Sequence, residues 1–263
     1  MVSFARTSRA EWPRMPGIIA LKFSELSQAP VGPGIYAWYV TLPVGPADLI
    51  RDIMPGTGVD RGEQQLRDVL ARHSQKHVPP PLNVTAQAAF QSVFAGTLKS
   101  TLNKTFADEL EPSGDASGQT EEGYDAVGRQ DLKFVLKQQR TRKALVDLLG
   151  AATPYLTAPI YIGTSGRLRT RLAQHADELE RLWDALGKDP SLRDRMDQIV
   201  QSKKSTFAVR AIALGFSPDQ LTVQILDARE VLEGDFSEDQ LKMLATASEW
   251  LLNRWHRPIA GRL

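Results

Sequence analysis

Pro33 and Pro43 close off a short run, Gly34 to Leu42, dense in β-branched and aromatic side chains, and no other feature restricts the fold as much. The run reads as a strand, because proline cannot continue a ladder at either end. Its alternation sends Tyr36 and Trp38 to one face and Ile35, Ala37 and Tyr39 to the other. Pro159 to Gly163 reads as a second short strand, with Tyr161 pointing away from Ile160 and Ile162. A helix follows to about Leu186, since Leu168, Leu172, Ala176, Leu179, Trp183 and Leu186 recur at helical spacing. At about 100° per residue, Arg171 and His175 fall on adjacent turns along one edge of that stripe, where a partly buried site would draw its polar groups.

Two more strands are expected at Phe207–Leu214 and Leu221–Leu226, paired as a hairpin through Gly215-Phe216-Ser217-Pro218-Asp219. A last helix starts at Ser237, where Ser237 and Gln240 have capping-box spacing, and ends near His256 before Pro258. Its apolar pattern gives Leu241, Leu244, Ser248, Leu251, Leu252 and Trp255 as the packed face, with Glu249, Asn253 and His256 on one flank. The stretch between the first two strands contains a helix at Arg61–His77, a break at Pro79-Pro80-Pro81, and a strand or helix at Phe90–Leu98. A polar, Gly/Ser-rich loop at Glu111–Gly128 is expected to be mobile. A basic helix at Arg129–Leu149 then carries Lys133, Lys137, Arg140, Arg142 and Lys143. The fold class is therefore α+β: a small, mainly antiparallel sheet flanked by helices. Residues 1–42 and 158–263 form one discontinuous domain around a large, mostly helical insertion at 43–157.

The chain of 263 residues is 42% hydrophobic, enough for a packed core. Its 32 Lys and Arg nearly cancel 31 Asp and Glu, leaving a net charge of +1, so nucleic-acid contacts must come from local basic clusters. With no cysteine, thiol catalysis, disulfides and Cys-based zinc sites are excluded. Any metal must be held by oxygen or imidazole ligands. No apolar run reaches the roughly 18 residues of a membrane span, and the expected location is cytoplasmic. His73 and His77 have metal-compatible i, i+4 spacing, but no HExxH-type glutamate accompanies them, so they read as a surface helix end.

Gly34-Ile35-Tyr36 and Tyr161-Ile162-Gly163, the order strand, strand, helix, hairpin, helix, and the positions of Leu168, Arg171, His175, Glu249, Leu252 and Pro258 together resemble the GIY-YIG nuclease superfamily. The resemblance covers Pro33–Tyr39, Pro159–His175 and, more loosely, Phe207–Pro258. It is closest to restriction-endonuclease-like members, which carry insertions between the two tripeptides. The chain departs from the family pattern at the terminal Asn, where it has Gly261.

The resemblance implies a metal-dependent endonuclease acting on DNA, in restriction or another bacterial defence role. Tyr36 would be the general base working with His175, because an unshifted phenol with a pKa near 10 is a poor base alone. Arg171 would grip the scissile phosphate through its planar fork. Glu249 would hold one divalent cation, Mg²⁺ or alternatively Mn²⁺, and Tyr161 would orient water or phosphate. Taken singly, each has an ordinary reading: a packing tyrosine, a solvated helix edge, an exposed helical glutamate. Two other functions stay open, a nucleic-acid-binding module that keeps the fold without turnover, and an RNA or DNA-repair nuclease. One site cuts one strand, so double-strand cleavage requires a homodimer or sequential nicking.

Overall fold

The computed structural model describes residues 17–76, 82–87, 93–98, 124–200 and 205–261. The Pro79-Pro80-Pro81 break, His77 and residues 111–123 of the expected mobile loop lie outside them, and the rest of that loop, Tyr124–Gly128, is not loop but the start of a helix. Strands β1 (Ile18–Lys22), β2 (Gly34–Val40), β5 (Tyr161–Ser165) and β6 (Leu221–Asp227) form one sheet in the order β1-β6-β2-β5, every pair antiparallel. Strands β3 (Leu82–Gln87) and β4 (Val93–Leu98) form a separate two-stranded antiparallel sheet, so the described part of Phe90–Leu98 is strand. The helices are α1 (Pro46–Leu49), α2 (Arg61–Lys76), α3 (Tyr124–Leu136), α4 (Gln139–Leu156), α5 (Leu168–Lys188), α6 (Leu192–Val200), α7 (Phe207–Ala213), α8 (Ala228–Val231) and α9 (Glu238–His256). The α+β class with a small antiparallel sheet flanked by helices holds, and no helix among the described residues is long and apolar enough to cross a membrane.

Register decides which side chains share a face. Tyr36 stands opposite Gly163 and Ile225, and Trp38 opposite Tyr161 and Val223, so all of these point to one side of the sheet. That side is the main core. Leu168, Leu172 and Leu179 of α5 and Phe207, Ala208, Ala211 and Ile212 of α7 bury against it. Each buried leucine contributes about 1.5–3 kcal/mol.

Both motif glycines are required by close approach. A Cβ on Gly34 would strike the Leu226 carbonyl of the neighbouring strand and lie 2.8 Å from Leu168 Cδ1. A Cβ on Gly163 would lie 2.6 Å from Cζ and Oη of Tyr36 and 2.8 Å from Cε1 of Tyr161. The tripeptides therefore mark where two strands and two tyrosine rings pack tightly.

Four expectations need correction. Phe207–Leu214 is not a strand but α7, and there is no hairpin with β6. Thr206 caps the helix by accepting from the Val209 amide, and Ala208, Ala211 and Ala213 favour helix. The missing strand is supplied by β1, which pairs with Thr222–Leu226 of β6. The basic stretch is two helices, α3 and α4, because carbonyls freed at the break are taken by side chains. Thr141 Oγ1 donates to Val135 O and Arg142 Nε to Leu136 O, each at 2.5 Å. Arg142 is consequently not on a solvated face: it is fully buried and paired with Asp60. Burial raises the Asp60 carboxyl, but hydrogen bonds from Arg142 and from backbone amides outweigh this and hold it below its ordinary range.

The last correction concerns α9. Ser237 does cap it, its hydroxyl accepting from the Gln240 amide at 3.3 Å while Gln240 Oε1 accepts from the Ser237 amide at 2.8 Å. The packed face, however, is rotated from the expected one. Leu241 and Ala245 are buried, while Leu244, Leu251 and Trp255 are exposed. Ser248, Glu249, Leu252 and Asn253 occupy intermediate positions. The reason is the sheet edge: α9 lies along β5, and Asn253 Nδ2 turns inward to the Ile162 carbonyl at 3.4 Å. The segment between β2 and β5 also contributes to the sheet's surroundings, since α4 packs on β2 and β6.

Candidate active site

Tyr36 rises from the centre of β2 and His175 descends from the second turn of α5. Their side chains meet in a hydrogen bond of 2.8 Å between Tyr36 Oη and His175 Nε2. Both are buried, at 1% and 2% exposure, so the pair is sealed from bulk water except where its neighbours leave a path. Aromatic rings form the enclosure. Phe207 lies edge-on to His175 at 5.3 Å between centroids and stacks on Trp38 at 5.4 Å. Tyr161 is 6.1 Å from both Tyr36 and His175.

The rim is polar. Arg171, one turn before His175, is exposed and stands beside the Tyr36 hydroxyl, its guanidinium also 3.4 Å from Gln174 Oε1. Tyr161 is half-buried beside the pair. Of the sequence-derived set, Tyr36, Tyr161, Arg171 and His175 thus converge around one hydroxyl.

Glu249 lies on α9, the helix that packs along β5. The Lys242 stem lies against Gly166, its Cδ 3.5 Å from where a Cβ would stand, and Asn253 meets Ile162. Glu249, between those two contacts on α9, runs alongside the middle of β5 and is half-buried. No group of three His, Cys, Asp or Glu among the described residues is arranged to hold a metal ion. A lone carboxylate suits Mg²⁺, which keeps several waters and commonly takes one or two protein carboxylates plus substrate phosphate.

Electrostatics sets the protonation of the pair. Burial pushes the Tyr36 phenol far above its ordinary value, the Tyr161 side chain adds to this, and Arg171 only partly offsets it. Burial, followed by the charges of Arg171 and Arg210, lowers His175 to about 3. At neutral pH the site therefore holds a neutral phenol against a neutral imidazole. No preformed phenolate is present to act as a base.

Arg210 was hidden by the strand reading of its segment. On α7 it is buried, its Nε donates to Ala260 O at 2.6 Å, and its Nη1 donates to Ser205 O and, at 3.2 Å, to Ser205 Oγ. Its guanidinium carbon lies 5.9 Å from the Tyr161 ring centroid. It ties the segment after α9 to the floor of the site. Phe207, lost with the same misreading, was legible only as an aromatic residue in an apolar run.

Gly261 is buried, with its amide bonded to Pro258 O at 2.8 Å. A Cβ there would lie 2.9 Å from that carbonyl, so the turn resists any larger residue. Asn253, on the flank of α9, donates from Nδ2 to both Ile162 O and Glu249 O. No family model, no curated protein and no solved structure matches this chain.

Proposed function

We propose that the chain is a GIY-YIG-type, metal-dependent endonuclease that hydrolyses nucleic-acid phosphodiester bonds, with DNA as substrate. The observation that carries the reading is the buried Tyr36–His175 hydrogen bond with the Arg171 guanidinium beside it. Phosphodiester hydrolysis needs a proton acceptor for water and a cation for the phosphorane-like transition state, and these three side chains provide both at one opening. Because the phenol is held protonated, Tyr36 acts as a relay: its oxygen takes the water proton as its own proton passes to His175 Nε2. An anionic phosphate on Arg171 offsets one of the charges that depress His175, so the imidazole becomes a better acceptor once substrate is seated.

Tyr161 orients water or phosphate at the rim. Glu249 would hold a Mg²⁺ ion, or Mn²⁺ in its place, and such an ion supplies charge neutralisation for the departing 3′ oxygen. Incubation of the purified protein with supercoiled plasmid and Mg²⁺ or Mn²⁺ tests this reading. Cleavage that falls strongly in Arg171→Ala and Glu249→Gln is expected, and a nicked circle should precede the linear form if one site acts at a time. Absence of cleavage across duplex, branched and single-stranded DNA and RNA would overturn it.

A second reading is a nucleic-acid-binding module without turnover. Two observations favour it: Gly261 occupies a turn with no room for the family's Asn, and Tyr36 is 1% exposed. Metal-independent, salt-sensitive binding with no cutting in any metal is its signature.

A further inference from the structure

Beside Arg171, on the side of the site facing the start of α9, lies a cleft of about 400 Å³. Its α5 wall is formed by Arg167, Thr170, Arg171 and Gln174, and its floor by Ser165 and Gly166. From α9, Lys242 crosses over the floor, its stem packed on Gly166. Three cations therefore converge on one opening. None of the three has an ion-pair partner within 4.0 Å among the described residues, although Glu238 and Asp239 line the opposite wall.

The attraction for an anion comes from these side chains and not from the helix end. The first amides of α5 are already used, Leu168 N donating to Gly32 O at 3.1 Å and Arg169 N to Pro30 O at 3.0 Å. Arg169 is also engaged, its Nε donating to Ala29 O at 2.7 Å. Arg167, Arg171 and Lys242 are left to face the cleft. The carboxylates of Glu238 and Asp239 sit in the first turn of α9, where the helix dipole favours them, and repel an anion from that wall. A phosphate entering the cleft is driven against Arg167 and the Lys242 ammonium.

We propose that this cleft holds a second backbone phosphate, next to the scissile one on the same strand, gripped jointly by Arg167 and Lys242. The proposal rests on the reading of Arg171 as the scissile-phosphate ligand. A nucleic-acid strand has phosphates on both sides of the cut, whereas the cationic cleft extends to one side only. It therefore fixes the path of the strand, which runs from Arg171 toward the gap between α5 and α9. Because it reads phosphate and not base, the subsite contributes to register and affinity without selecting sequence.

The experiment is binding of the full chain to a short fluorescent DNA duplex, and in parallel to the matching RNA duplex, in EDTA over a series of salt concentrations. The variants are Arg167→Ala, Lys242→Ala, the double variant, and Lys188→Ala as an exposed control at the far end of α5. Loss of one phosphate contact lowers the slope of log K against log[salt] by about 0.9. Each single variant is expected to lose about that much, and the double variant no more than either single, because both side chains serve one phosphate. The nucleic acid that shows this pattern is the one the cleft accepts. Wild-type slopes in both variants with binding retained, an additive loss in the double variant, or no binding to either duplex would each overturn the proposal. Cutting in Mg²⁺ is scored separately. Cleavage with unchanged slopes sinks the cleft alone, and the expected slopes without cleavage sink hydrolysis while leaving the cleft.

Discussion

Acidification should weaken the fold through His175 in a way that can be isolated from every other titrating group. In the native protein this imidazole is 2% exposed, accepts or donates the 2.8 Å bond to Tyr36, and lies within reach of the Arg171 and Arg210 charges. Burial first, and those charges second, lower it to about 3, whereas in the unfolded chain it titrates near 6.5. Between these values the unfolded state binds a proton that the native state does not. The stabilising contribution is complete above pH 6.5 and is lost progressively as pH falls toward 3. Between pH 7.5 and pH 5.0 the loss comes to about 2 kcal/mol. The measurement is urea unfolding of the wild type and of His175→Gln at both pH values. Glutamine can still hydrogen-bond to Tyr36 but does not titrate, so the stability gap between the two proteins should narrow by about 2 kcal/mol on acidification. A gap that stays constant would mean that His175 titrates alike in both states, and the account of a neutral, sealed pair would be wrong.

Three other outcomes follow from the same geometry. Gly163→Ala drives a methyl to within 2.6 Å of the Tyr36 hydroxyl, so single-turnover cleavage should fall about 100-fold or more while circular dichroism shows a fold weakened by only about 1–3 kcal/mol. Arg210→Met strands the Ser205 and Ala260 carbonyls and should cost about 2–4 kcal/mol in chemical denaturation. It also removes one of the charges on His175, so the acid sensitivity described above should lessen. Between β2 and β5, Arg142→Met leaves Asp60 buried without its partner and should cost about 3–5 kcal/mol, part of which Asp60→Asn restores.

The elements that were legible in sequence are those whose periodicity is long or sharply bounded. Gly34–Val40 is bracketed by prolines, and α5 has a stripe running from Leu168 to Leu186. Phe207–Ala213 failed because Phe207, Ala208, Arg210, Ala211 and Ile212 are all buried, leaving neither a two-residue nor a 3.6-residue period to detect. β1 was missed because it is a short edge strand in which only Leu21 is buried. Its pairing with β6 spans most of the chain, which no local signal encodes. On α9 the large apolar residues face outward and small or polar ones face β5, so hydrophobicity alone selected the wrong face. Tyr36, Tyr161, Arg171 and His175 were found through the ordered motif set, and their meeting point was not visible in it. Arg210 gave no signal, since a buried arginine that satisfies carbonyls from distant segments looks like any surface arginine in sequence.

The central claim is that the opening formed by Arg171 beside the Tyr36–His175 pair handles a scissile phosphate. Its most direct test is single-turnover cleavage of a DNA duplex in Mg²⁺ by the wild type and by Arg171→Ala, with enzyme in excess and saturating. Measurable wild-type cleavage that drops about 10²–10³-fold in the variant is the predicted result, the loss typical of removing one donor to transition-state charge. Equal rates in the two proteins, or a wild type that binds the duplex and never cuts it, would contradict the claim.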